Sequence, residues 1–179
     1  MVNTLKGTTL ISVFFFLLLL IICKSSFKPI NAGSQTITVL PGESIQEAIN
    51  NANAGDTIFV QSGIYYENVI LNKSISLIGE NSSTTFIDGS GESNVLNIVS
   101  SNVVVKGFTI QNGSDFPNPG SGVQISNETV NVLICNNSIR GSAYGIRLFN
   151  ANNSKILHNN ITKNAYGIYF TESSSGNYV

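Results

Sequence analysis

The sequence predicts an all-β protein, a parallel β-helix of about six rungs with a short amino-terminal capping helix. Three observations carry that prediction. The last third of the chain repeats itself at an offset of 22 residues. Its apolar residues alternate with polar ones in runs too short for helices. Asn, Gly and Ser punctuate those runs, with 24 Asn in 179 residues.

The elements follow in chain order. Leu10–Cys23 reads LISVFFFLLLLIIC, fourteen residues with one Ser. A membrane span needs about 20 apolar residues and a signal-peptide core about 7–15. With Lys6 ahead of it and Ile30-Asn31-Ala32 as a cleavage site, residues 1–32 read as a signal peptide, and residues 33–179 as the folded domain. An uncleaved membrane anchor is the alternative, because Lys24 and Lys28 flank the run. Lipoprotein processing at Cys23 is disfavoured by the bulky Ile22 before it. On either main reading the protein is secreted or sits at the cell surface, touching a membrane only through this segment. Without the leader, Cys135 has no partner for a disulfide.

Ile37-Thr38-Val39 is a strand. Ser44-Ile45-Gln46-Glu47 has capping-box spacing and opens a helix to about Asn53, with Ile45, Ala48, Ile49 and Ala52 on its apolar face. That helix covers the first rung of the coil. Strands follow at Asp56–Val60, Val69–Leu71, Ile75–Ile78, Phe86–Asp88 and Val95–Ile98. Asn131–Leu148 (NVLICNNSIRGSAYGIRL) then aligns without a gap on Asn153–Phe170 (NSKILHNNITKNAYGIYF). Asn102 opens an earlier copy, NVVVKGFTIQNG, with Val105, Phe108 and Ile110 on the same track. It reaches Gly122–Ile125 after a longer excursion. Self-similarity at this period means stacked units that bury their apolar faces only against neighbours. Stacking puts Asn137 over Asn159 as an internal amide ladder that ends at Phe108. The last rung, Ala165–Phe170, is followed only by TESSSGNYV, and no second amphipathic helix covers it. The expectation is that the solenoid is truncated here, its open rung covered by further rungs or another chain.

The stretch PGESIQEAINNANAGDTIFVQSGIYYENVILNKSISLIGENSSTTFIDGSG resembles the opening of pectin-lyase-like right-handed parallel β-helix proteins, with the NosD-type subset most similar. The resemblance runs from about Thr36 to the end. It implies a right-handed coil and leaves activity open, because the superfamily holds lyases, esterases, hydrolases, epimerases, sugar-binding domains and non-catalytic surface proteins.

Composition and motifs restrict the chemistry. From Gly33 onward six Lys or Arg face ten Asp or Glu, which is no nucleic-acid surface. The subset's label mentions copper, whose sites draw on His, Met and Cys. Past the leader only His158 and Cys135 are available, so no metal or other cofactor is expected. Glycoside hydrolysis needs two carboxylates about 5–10 Å apart. Here Asp56, Glu67, Asp88, Glu92, Asp115, Glu128 and Glu172 are scattered, and Asp56 and Asp88 adjoin Gly at turns. No catalytic residue is identified.

A glycan surface is the functional reading. Tyr144 stacks over Tyr166 and Arg147 over Tyr169, offering apolar faces and a hydrogen-bond donor to a polysaccharide. The alternative is that the Tyr pair only packs the sheet. The loop Asn112–Gly120, with Asp115, Phe116, Pro117 and Pro119, breaks the register and sits on a rigid scaffold, where functional loops occur. Seven Asn-x-Ser/Thr sequons begin at Asn72, Asn81, Asn112, Asn127, Asn136, Asn152 and Asn160. The sequence thus reads as a non-catalytic exported β-helix surface module, with carbohydrate binding at the Tyr column one option and sheet packing the other. The alternative is the amino-terminal part of a polysaccharide-acting enzyme whose active-site rungs lie beyond residue 179.

Overall fold

A computed structural model describes residues 33–126, 128–171 and 173–179. The leader, with its cleavage and anchor readings, lies outside them, as do Asn127 and Glu172. Among the described residues no helix is long and apolar enough to cross a membrane.

The chain opens with β1 (Thr36–Val39) and helix α1 (Ile45–Asn51). Five three-stranded rungs follow. They are β2 (Thr57–Val60), β3 (Gly63–Tyr66) and β4 (Val69–Leu71), then β5 (Ser76–Gly79), β6 (Thr85–Asp88) and β7 (Leu96–Ile98). Next come β8 (Val104–Lys106), β9 (Thr109–Gln111) and β10 (Ser121–Ile125), then β11 (Leu133–Cys135), β12 (Ser138–Arg140) and β13 (Tyr144–Leu148). The last rung is β14 (Lys155–Leu157), β15 (Asn160–Thr162) and β16 (Tyr166–Phe170). Stacking yields three parallel sheets: β1-β2-β5-β8-β11-β14, β3-β6-β9-β12-β15 and β4-β7-β10-β13-β16. This is the parallel β-helix expected from the repeat.

Each strand is short because only alternate side chains face the interior, and one turn of coil suffices to bury them. Columns of aliphatic residues fill the centre. One is Ile58, Leu77, Val105, Ile134 and Ile156; another is Ile87, Ile110 and Ile139. All of these are buried. Steps along the first column differ with the turns between strands: 19 residues from Ile58 to Leu77, 28 and 29 from Leu77 to Val105 and Val105 to Ile134, and 22 from Ile134 to Ile156.

The turns explain the Asn content. Asn102, Asn131, Asn153 and Gly176 all have φ between 51° and 66°, and so form one column of left-handed residues. Asn136 and His158, each at φ 55°, form another below Gly107. Asn and Gly reach this region at the least cost. Inside the turns the expected amide ladder is present. Asn137 Nδ2 donates to Asn159 Oδ1 and to the Val105 carbonyl, each at 3.1 Å. Asn137 Oδ1 accepts from the Phe108 amide at 3.1 Å, where the ladder ends.

Helix α1 covers the amino-terminal rung. Ser44 caps it, accepting from the Glu47 amide at 3.1 Å. The carboxylate that satisfies the first turn comes from Glu67, one rung on, which accepts from Ile45 N and Gln46 N at 2.9 Å. Gln46 then pairs with the edge of β4 as a strand would. Its Oε1 accepts from Ile70 N and its Nε2 donates to Ile70 O. Lys73 Nζ closes the other end on the carbonyls of Asn50 and Ala52, and the helix stops at Asn51 rather than Asn53. The strand β3 is an addition to the sequence reading. Its apolar Ile64 and Tyr66 point outward and Tyr65 points in, its hydroxyl donating to Gln61 O at 3.0 Å. Burial raises the Tyr65 phenol above its ordinary pKa, with Glu43 adding to the shift.

In the last rung Ile161 and Ile168 are half-buried and Phe170 is exposed. Residues 174–178 lie against β14, where Ile156 N donates to Tyr178 O and Tyr178 N to Ser154 O.

Candidate functional site

The outer face of the third sheet carries one side chain per rung: Ile70, Asn97, Gln124, Arg147 and Tyr169 stand in register. Alternation produces this column, because Ile146, Leu148 and Ile168 turn inward. Tyr144 and Tyr166, also in register, stand at the start of the same strands. Gly145 and Gly122 leave room beneath them. A Cβ on Gly145 would lie 2.6 Å from Ile161 Cγ2, and one on Gly122 2.5 Å from Ile139 Cγ2. At Gly122 and Gly145 a side chain is thus excluded by the rung below, whereas Gly167 in the last rung meets nothing within 4 Å.

The structure brings Tyr144, Tyr166, Arg147 and Tyr169 together. The Tyr144 and Tyr166 rings stack at 5.3 Å and 20°, and Tyr169 leans on Tyr144 at 5.0 Å. The Arg147 guanidinium lies 5.2 Å above the Tyr144 ring. The fifth member was not assigned from the sequence. Phe116 reaches in from the loop and meets Tyr144 and Tyr166 edge-on, each at 6.3 Å. The loop is braced for this: Ser114 Oγ donates to Asn118 O at 2.7 Å and Ser114 N to Ser93 O at 2.9 Å. The rings form a cluster rather than a row of free faces, but Tyr166 and Phe116 remain about half exposed. Beside the cluster lies an open groove of about 630 Å³, lined by Ser93, Asn94, Asn118, Pro119, Gln124 and Arg147 among others.

The carboxylates resolve into structural roles. Glu67 caps α1. Asp56 is buried and accepts from the amides of Gln35 at 2.9 Å and Asn53 at 2.7 Å, which hold its pKa below the ordinary carboxylate value. Asp88 accepts from Ser90 N as a turn residue. It also starts a polar relay that sequence reading missed. Gln111 Nε2 donates to Asp88 Oδ2 at 2.8 Å, and Arg140 Nη2 donates to Gln111 Oε1 at 2.8 Å. The three are in register on the outer face of the second sheet, but unequal rung lengths hide this in the sequence. Cys135 is half-buried in register with Leu157, and His158 is an exposed left-handed turn residue. No group of three or more potential metal ligands occurs among the described residues.

A comparison with curated proteins finds no match. Among solved structures, a pectin methylesterase in complex with a hexasaccharide aligns at 14% identity and TM-score 0.50 over 72% of this chain and 56% of its own. A pectin methylesterase mutant in complex with another hexasaccharide aligns at 14% and 0.49 over 70% and 50%. The chain thus spans about half the length of these two structures, and the likeness is one of fold. The family model for the right handed beta helix region matches residues 25–179. With its three parallel sheets of stacked rungs, this chain belongs to the right-handed β-helix family.

Proposed function

We propose that this chain is a non-catalytic, exported module that binds a polysaccharide on the outer face of its third sheet. The observation that carries the reading is the aromatic cluster of Tyr144, Tyr166, Tyr169 and Phe116 beside a groove of polar side chains, all neutral but Arg147. Ring faces take the apolar sides of sugars, and Asn, Gln and Ser take their hydroxyls. Strand register holds Tyr144, Tyr166, Tyr169 and Gln124 in place, so these four lose little ordering entropy on binding. A pectin methylesterase of related fold, crystallised with a hexasaccharide, is in keeping with a glycan partner. On this reading the module is of the NosD type, which the resemblance of residues 41–91 supports.

A second reading, the amino-terminal part of a polysaccharide-acting enzyme, draws on the Asp88–Gln111–Arg140 relay. It supplies one carboxylate, where hydrolysis takes two.

A glycan panel tests both readings, scored for binding and for release of product. Binding without release is expected, weakened about tenfold by Tyr166→Ala with the far-UV β signal intact. Release of unsaturated uronate or methanol by the purified chain would favour the enzyme. Equal loss of fold and binding would reduce the Tyr cluster to packing.

A further inference from the structure

Among the described residues, Arg147 is the one charged residue lining the groove. Its Nε is shut off from solvent and has no acceptor. Among the described residues its sole interaction is with the Tyr144 ring. Arg140 makes the contrast: its Nε and Nη2 both donate to Gln111 Oε1, which is tied in turn to the buried Asp88. A guanidinium presents five donors in a rigid planar fork that fits a planar or tetrahedral oxyanion bidentately. The sealed Nε is out of reach of a solute, but the Nη donors have no acceptor from the described residues and Arg147 lines the groove, so an oxyanion entering it would pair with them.

Register sets what flanks the anion. One rung above Arg147 stands Gln124, with Asn94 and Ser93 beside the groove; one rung below stands Tyr169, against Tyr144 and Tyr166. Rungs are about 4.8 Å apart, so Gln124 to Tyr169 spans roughly 10 Å, more than one sugar unit.

We propose that the site takes an acidic polysaccharide, with a carboxylate or sulfate group seated on Arg147 between a polar subsite at Gln124 and an aromatic subsite at Tyr169. The proposal rests on the glycan-binding reading and adds the charge and its position.

Calorimetric titration of the purified full-length chain tests it with matched probes. One pair is a galacturonate hexamer and its fully methyl-esterified form; the other is a sulfated galactan oligomer and its desulfated form. The charged member of at least one pair should bind about tenfold or more tighter, and which pair responds identifies the anion. Arg147→Gln should abolish that preference while the neutral member still binds. Arg147→Lys, which keeps the charge and loses the fork, should retain part of it and serves if Arg147→Gln does not fold. Equal affinity for charged and neutral members, or a preference that survives Arg147→Gln, overturns the acidic assignment and leaves glycan binding standing. Absence of binding to all four overturns both.

Discussion

Replacing Asn137 by Ala tests the internal ladder directly. Asn137 is buried, and its side chain makes three hydrogen bonds: from the Phe108 amide, to the Val105 carbonyl and to Asn159 Oδ1, each at 3.1 Å. Net contributions of about 0.5–1.5 kcal/mol per bond bracket the loss at roughly 1.5–4.5 kcal/mol. The Phe108 amide is stranded beside a fully buried ring, which moves the expectation to about 2–4 kcal/mol. Asn159→Ala should cost less, because Asn159 is only half-buried and water can replace it. Asn137→Asp keeps an acceptor for Phe108 but turns a carboxylate oxygen toward two other oxygens. The new carboxyl then has a raised folded-state pKa, so that variant should gain stability as pH falls. Urea unfolding gives the overall loss, and amide exchange at Phe108 gives the local one, which matters because stacked repeats need not unfold in one step. A loss below about 1 kcal/mol with the Phe108 amide still protected would show that the amide finds another acceptor, and would refute the ladder as a source of stability.

Further expectations concern packing, pH and export. Gly145→Ala brings a Cβ to 2.5 Å from the Gly167 carbonyl oxygen and 2.6 Å from Ile161 Cγ2, so it should cost about 1–3 kcal/mol in urea unfolding and disturb the near-UV signal of Tyr144; Gly167→Ala meets nothing within 4 Å and should be near neutral. Asp56 has its pKa lowered by the Gln35 and Asn53 amides, so its contribution is present above the unfolded carboxylate value and is lost as pH falls through the folded one. Asp56→Asn should therefore flatten the acid limb of stability below about pH 4, and an unchanged limb would count against the assignment. Amino-terminal sequencing of the mature protein should begin at or near Gly33, whereas a cytoplasmic full-length chain would sink the export reading.

The repeat made most of the coil legible. Ile134 over Ile156, Ile139 over Ile161 and Tyr144 over Tyr166 are the registers that the 22-residue alignment implies. Asn137 over Asn159 follows from the same offset. Legibility fails where rungs differ in length. Phe116 sits in a loop with no counterpart in other rungs, so nothing in the periodicity directs its ring to the Tyr pair. Asp88, Gln111 and Arg140 are neighbours only after steps of 23 and 29 residues. Strand β3 was hidden for another reason: its outward side chains are Ile64 and Tyr66, so alternation assigns the wrong face. Glu67 reads from the sequence only as one of the scattered carboxylates, because its partner, the first turn of α1, is a contact across rungs that local spacing does not encode.

Gln46 has a consequence for assembly. By occupying both the N–H and the carbonyl of Ile70, one side-chain amide acts on the third sheet as a chain terminator acts on a polymer. Strand addition at that edge is foreclosed, so two copies cannot join through it and a stray extended segment finds no template there. The sheet accordingly has a polarity that its parallel strands alone do not impose: it can be extended from one side only. Gln46→Ala would reopen the edge while leaving the apolar face of the helix in place, converting a sealed boundary into an adhesive one.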